Sequence, residues 1–243
     1  MSEEVKEKEK VTSQVHSVYL TGAIGPDMFT SFVSWLAPIR DPDCMFIEID
    51  SNGGDPETVN TMIDMLVART RPNVIIATAR CCSAAVGMMG MARGIRLAYP
   101  STVWMQHLAT MTLPKCFLGE HHSVISSTQD RQDLFQSRIK RRSGMSDEEM
   151  AMLFGPRDLY FNSVDALMMG EHGLIDGIIY RELSFCKWII LTRQGFKTYT
   201  FPFSNIKDLP VMTDEELAPY DLKSWVPNQV VSAFERLKKI EQQ

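Results

Sequence analysis

The sequence predicts an α/β fold built on a parallel sheet. Three observations lead there. β-rich runs over residues 18–20, 45–49 and 74–77 are separated by two segments of helical periodicity, and a β-α-β-α-β order is the pattern of parallel strands joined by crossover helices. Each change of pattern is punctuated by Gly, Pro or Asp. With 243 residues and 44% hydrophobic content, the chain can bury a sizeable core as one domain with additions.

The elements follow in order. Residues 1–14 are polar, and a flexible segment is expected there. The strand Val18-Tyr19-Leu20 ends at Thr21-Gly22. Gly25-Pro26-Asp27 is a turn and helix start, and Phe29, Phe32, Val33 and Leu36 repeat at helical spacing, predicting a helix over 27–37. Pro38 and Asp41-Pro42-Asp43 end it. A strand over 45–49 runs into Asp50-Ser51-Asn52-Gly53-Gly54-Asp55. Asp55 suits an N-cap, Pro56 the first helical position, and Glu57 the positive end of the helix dipole. Val59, Met62, Ile63, Leu66 and Val67 then share one helical face. Arg71-Pro72-Asn73 ends that helix, and Val74 opens the third strand.

The small-residue cluster Cys81-Cys82-Ser83-Ala84-Ala85 follows, with a third helix running from it to about Met91. Gly94 turns the chain, and β-rich runs over 95–99 and 103–106 flank Pro100-Ser101. Residues 108–119 show no period. A long helix is expected over 120–142, apolar only at Val124, Ile125, Leu134, Phe135 and Ile139. A helix so polar projects from the body or packs within an assembly. Ser146-Asp147-Glu148-Glu149 predicts a capping box at the next short helix. Gly155-Pro156-Arg157-Asp158 breaks that helix, 159–161 is extended, 163–170 is helical, and 174–179 closes the compact unit. Trp188 to Phe203 reads as a β-hairpin around Arg193-Gln194-Gly195. Residues 204–227 are mostly irregular, and an amphipathic helix is expected over 228–241. The expected division is a flexible segment over 1–14, a main domain over 15–182 and a C-terminal extension over 183–243.

Composition excludes several classes. The net charge of −5 argues against nucleic acid as the main partner, which leaves a basic footprint. No apolar run approaches the roughly 18 residues that span a bilayer, so no membrane association is expected. The charged start lacks the apolar region of a secretory signal, and a cytoplasmic setting is the expectation. Five cysteines without a CxxC pair indicate neither a disulfide framework nor a zinc site. No metal or cofactor is expected. Cys81 and Cys82 read as small buried thiols, and most of the 16 methionines as adaptable core filler.

Four positions bear on chemistry. Ser83 follows a strand and opens a helix, so its Oγ lies near free backbone N–H groups. It is either an N-cap or a nucleophile that needs a base and oxyanion donors. Gly53-Gly54 ends a neighbouring parallel strand, where sites in such sheets gather. It is either a plain turn or a place where a backbone N–H is presented unhindered, so that Gly54 and Ala84 N–H form an oxyanion hole. His107 directly follows the strand over 103–106, at an element end, and is either a structural histidine or a base. His16, His121, His122 and His172 are less suitably placed. Asp158, leading into an extended run, is either a surface or capping Asp or the group that orients an imidazolium.

In combination these blocks resemble the proteolytic subunit of the Clp protease (ClpP), a serine peptidase family on the crotonase-like ββα fold. Val18-Tyr19-Leu20-Thr21-Gly22 is similar to its opening strand, and Phe46-Ile47-Glu48-Ile49-Asp50-Ser51-Asn52-Gly53-Gly54 to its strand and Gly-Gly loop. Cys82-Ser83-Ala84-Ala85 resembles the nucleophile turn. The segment from Ala92-Arg93-Gly94 through Pro100 to His107 resembles the one ending in the catalytic His. Arg157-Asp158 with Tyr160-Phe161 resembles the third triad member, and Gly173-Leu174-Ile175-Asp176 the closing motif. The resemblance covers about residues 17–180. It implies Ser83 as nucleophile, His107 as base then acid, Asp158 as orienting group, and Gly54 and Ala84 N–H as oxyanion donors. It also implies a handle helix over 120–142 through which rings meet. The assembly would be a homo-oligomer of heptameric rings, stacked as a tetradecamer, served by an AAA+ unfoldase and taking polypeptide substrates.

The chain departs from the family pattern at named positions. Asn52 replaces the Pro of the Gly-Gly loop, Ala79 and Ala85 replace glycines of the nucleophile turn, and Leu108-Ala109 replace the Gln-Pro after the catalytic His. The spacing from Ser83 to His107 is one residue short, so an ungapped alignment puts Cys82 at the nucleophile. Ser-Ala-Ala resembles the turn of phage-type ClpP-like peptidases and favours Ser83. The expected activity is a divergent or phage-type serine endopeptidase that cleaves extended peptides with little sequence preference. The alternatives are a catalytically silent ClpP-like scaffold subunit and a crotonase-type acyl-CoA enzyme, which needs oxyanion donors but no triad.

Overall fold

The computed structural model describes residues 14–40, 43–69, 72–109, 118–202 and 204–220, with 118–121 as backbone only. Residues 1–13, most of the aperiodic stretch over 108–119, and the helix expected over 228–241 lie outside the described residues.

The expected alternation is present. Strand β1 (Val15–Thr21), helix α1 (Pro26–Leu36), β2 (Cys44–Ser51), α2 (Pro56–Val67) and β3 (Asn73–Cys82) are followed by α3 (Ala84–Met91), β4 (Ile95–Ala98) and β5 (Val103–Gln106). Then come α4 (Leu118–Ser143), α5 (Asp147–Leu153), β6 (Leu159–Phe161), α6 (Ser163–Met168), β7 (Gly177–Ser184), β8 (Lys187–Thr192), β9 (Gly195–Thr200) and the short α7 (Asp214–Leu217). Strands β1, β2, β3, β4 and β7 are parallel neighbours; β8 and β9 add on antiparallel.

Both faces of the central strands are buried, which explains their nearly continuous apolar runs. Met45, Ile47, Ile49, Ile75 and Ala77 point into the main core with the buried residues of α1, α2 and α3. The alternate residues Cys44, Phe46, Val74, Ile76 and Leu97 form a second core with Trp188, Tyr199 and Phe201. Phe46 on β2 meets Trp188 and Phe201 with ring centroids 5.8 and 6.5 Å apart. The sheet therefore curls until its last hairpin covers the outer face of β2. The boundary expected between 182 and 183 falls inside β7.

The strand after Pro72 is longer than the apolar run over 74–77 predicts. β3 continues through the cysteines to Cys82 because it serves two neighbours in turn: Val74 to Ala77 pair with β4, and Arg80 to Cys82 pair with β5. This carries the strand directly into Ser83. The helix after it is buried on every side, as a uniformly apolar segment must be.

Helix α4 has a buried stripe at Gln132, Phe135, Ile139 and Ser143, while Ile125 and Leu134 face outward. Its C-terminal half packs on α3, where Gly87 leaves room for the Phe135 ring; a Cβ on Gly87 would lie 2.3 Å from it. Arg131 and Arg138 pair with Glu57 and Asp64 of α2 at 2.6 and 2.8 Å. The capping box at Ser146 and Glu149 is formed. Arg193, at the turn of the β8–β9 hairpin, donates to the carbonyls of Leu167, Met169, Gly170 and Glu171. It thereby satisfies the orphan acceptors at the end of α6.

Candidate active site

The ends of β3 and β5 and the loop after β2 converge on one cleft of about 260 Å³. β3 delivers Ser83. It adopts φ 52° and ψ −124° and makes no side-chain cap bond. Positive φ in a residue with a Cβ costs energy and persists only where the surroundings impose it. Here the Ser83 N–H is held by the Met105 carbonyl at 2.7 Å, and the turn lifts Oγ off the helix end into the cleft. The N-cap alternative for Ser83 thus has no hydrogen bond behind it.

β5 delivers His107, whose Nε2 lies 2.8 Å from Ser83 Oγ. The antiparallel partner β6 delivers Asp158. Gln106 pairs with Leu159 and Met105 with Tyr160, so the same register carried one residue further sets His107 opposite Asp158. Asp158 Oδ1 is 3.4 Å from His107 Nδ1, longer than an ordinary N–H···O bond, and its side chain is 53% exposed. The Leu108 N–H to Gly155 carbonyl bond, 3.1 Å, ties the two segments together just outside the pair.

The loop after β2 closes the other side. Gly53 has φ 96°, and a Cβ there would lie 2.6 Å from both the Cys82 carbonyl and Ser83 Cβ. Only glycine permits this approach. Ser51 Oγ accepts from Gly53 N–H at 3.0 Å and donates to the Gly22 carbonyl at 2.6 Å, fixing the loop. Ile24 bonds to Gly53 O and Asp55 N–H, so the N–H of Gly54 between them points away from Ile24. The Ala84 N–H, first in α3, has no intrahelical partner. Both residues line the cleft with Ser83 and His107. Asp55 caps α2, accepting from Glu57 and Thr58 N–H at 3.1 and 2.9 Å.

Cys82 is oriented differently. It is 5% exposed, its Sγ lies 3.8 Å from the Val103 carbonyl, and burial pushes its thiol pKa up. Burial pushes Cys81 much further in the same direction. Next to them Arg80 makes a two-pronged contact with Asp50, at 2.8 and 3.0 Å. The hydrogen bonds from Arg80 hold the Asp50 carboxyl below the usual range against the opposing effect of burial. This clamp joins the ends of β2 and β3 under the site.

Residues 3–182 match the Clp protease family. The chain belongs to that family. A search of curated proteins returned no match. Clp protease membership fits the mixed α/β fold and supports a ClpP-like serine peptidase in general terms. The family is generally oligomeric and works with unfoldases. No described helix is long and apolar enough to cross a membrane, and no cluster of His, Cys, Asp and Glu among the described residues is arranged to hold a metal.

Further residues of the cleft are not singled out by the sequence. Gln106, Thr128, Arg131, Gln132 and Phe135 line it as well. The signal for Gln106 was its place two residues after Trp104, a polar residue on the inward face of a strand. The α4 residues gave no such signal, because nothing local shows which face of a mostly polar helix turns toward a site formed far away in the chain.

Proposed function

We propose that this chain is a serine endopeptidase acting through Ser83, His107 and Asp158. The observation that carries the reading is the 2.8 Å approach of Ser83 Oγ to His107 Nε2 at a strained turn opening on a cleft. In this mechanism Ser83 O–H donates its proton to Nε2 as Oγ attacks a peptide carbonyl. The resulting oxyanion is met by the N–H groups of Gly54 and Ala84. His107 then returns the proton to the departing amine, leaving an acyl group on Ser83. Water, deprotonated by His107, hydrolyses that ester and restores the site. Asp158 faces the far side of the imidazole and stabilises its charged form.

The active form in this reading is a homo-oligomer of heptameric rings that encloses the clefts, fed by an AAA+ unfoldase. A fluorophosphonate probe tests the chemistry: mass spectrometry should find the adduct on Ser83. An intact, assembled sample that takes no label would point instead to a silent scaffold subunit. Native mass measurement tests the assembly, and a stable monomer would contradict the ring.

A further inference from the structure

The cleft carries an unused hydrogen-bond acceptor. Gln106 is 3% exposed, and its Nε2 donates to the His107 carbonyl at 2.9 Å. That bond fixes the amide orientation, since the flipped form would set two oxygens against each other. Oε1 is then left buried, with no hydrogen-bond partner among the described residues. A buried acceptor without a partner is costly and calls for an explanation. Gln132, on α4, is 7% exposed and lines the same cleft. Its side chain makes no hydrogen bond among the described residues. Two buried amides thus border the cleft that holds Ser83 and His107, and Phe135, packed against Gly87 of α3, lines it with them.

We propose that Gln106 and Gln132 form a polar specificity subsite that selects substrates whose P1 side chain is an unbranched hydrogen-bond donor, glutamine before all others. This rests on the peptidase reading and goes beyond it. The P1 glutamine N–H donates to Gln106 Oε1, and its carbonyl accepts from Gln132 Nε2. An apolar P1 residue of equal length fills the space but leaves the Gln106 acceptor unpaired as water is expelled. Sites built to hydrogen-bond a substrate group discriminate strongly against analogues that lack it. Such a subsite gives a definite P1 preference, where the family resemblance implies little sequence preference.

The test uses the full-length protein in its assembled form and fluorogenic peptides that differ only at P1. P1 Gln should be cleaved about tenfold or more better than P1 Met by kcat/KM. Gln106→Leu should bring that ratio to about one or below. The ratio within one variant cancels any general loss caused by removing the bond to the His107 carbonyl. Gln106→Glu keeps an acceptor, adds charge, and should move the preference to P1 Lys; it serves equally if the leucine variant does not fold. A wild-type ratio near one, or a ratio unchanged in Gln106→Leu or a P1 profile unchanged in Gln106→Glu, overturns the proposal. Fluorophosphonate labelling of Ser83 separates the two levels. Labelled enzyme with a flat P1 profile sinks the subsite alone, whereas unlabelled, inactive enzyme sinks the peptidase reading and the subsite with it.

Discussion

Ser83 occupies a backbone conformation that a serine without special surroundings avoids, and each neighbour that imposes it is identifiable. Met105 holds its N–H, and Gly53 lies so near that a Cβ there would stand 2.6 Å from Ser83 Cβ. Gly53→Ala should therefore collapse the turn, at a cost of about 1–3 kcal/mol, with loss of probe labelling at Ser83. Chemical denaturation of the variant and the wild type measures the first effect. The reading of Ser83 as nucleophile predicts that Ser83→Ala lowers peptide cleavage by at least about 10³-fold. On the same reading Cys82→Ala should leave the rate within about threefold, because its thiol is buried against the Val103 carbonyl and does not line the cleft. Steady-state rates on one peptide compare both variants, and the opposite ranking would move the nucleophile to Cys82.

At the scale of elements, the site depends on how α4 seats on α3 and how the outer face of the sheet is filled. Phe135 is buried between α3 and α5, edge-on to Phe154 with ring centroids 6.2 Å apart. Phe135→Ala should cost about 3–5 kcal/mol, measured by urea unfolding, and should loosen the cleft wall as well. The outer face of β2 carries one misfit, Glu48. Burial, and then the nearby Glu182, raise its carboxyl pKa. A carboxyl whose folded pKa is raised binds its proton more tightly in the native state. Its penalty is therefore absent at low pH and grows as pH rises through the folded value. Glu48→Gln should raise Tm at neutral pH, by about 1–2 °C, and leave it unchanged near pH 4. A melting series across pH would expose a contrary result, a gain at acid pH or none at pH 7.

For the whole molecule, the second core determines what the extension contributes. Trp188, Tyr199 and Phe201 lie over Phe46, Val74 and Ile76, and Arg193 closes the end of α6. Truncation after residue 182 should leave that sheet face open. The product should be poorly soluble or melt far below the full chain; equal solubility and Tm would show the hairpin to be separable.

Much of this was legible in the sequence because it is local. The helix starts at Asp55-Pro56 and Ser146, the alternation of strands and helices, and the candidacy of Ser83, His107, Asp158, Gly54 and Ala84 all follow from short-range pattern, capping chemistry and a family resemblance. Contacts between distant segments were not legible. β3 runs on to Cys82 because β5 arrives to pair with it. His107 meets Asp158 through an antiparallel register that no single segment encodes. Cys82 and Ser83 are neighbours in sequence, yet alternation along the strand turns one into the protein while the strained turn sends the other toward His107. Local sequence makes these groups available. Which way each one faces is set by long-range contacts, because direction comes from strand pairing and from packing against residues tens of positions away.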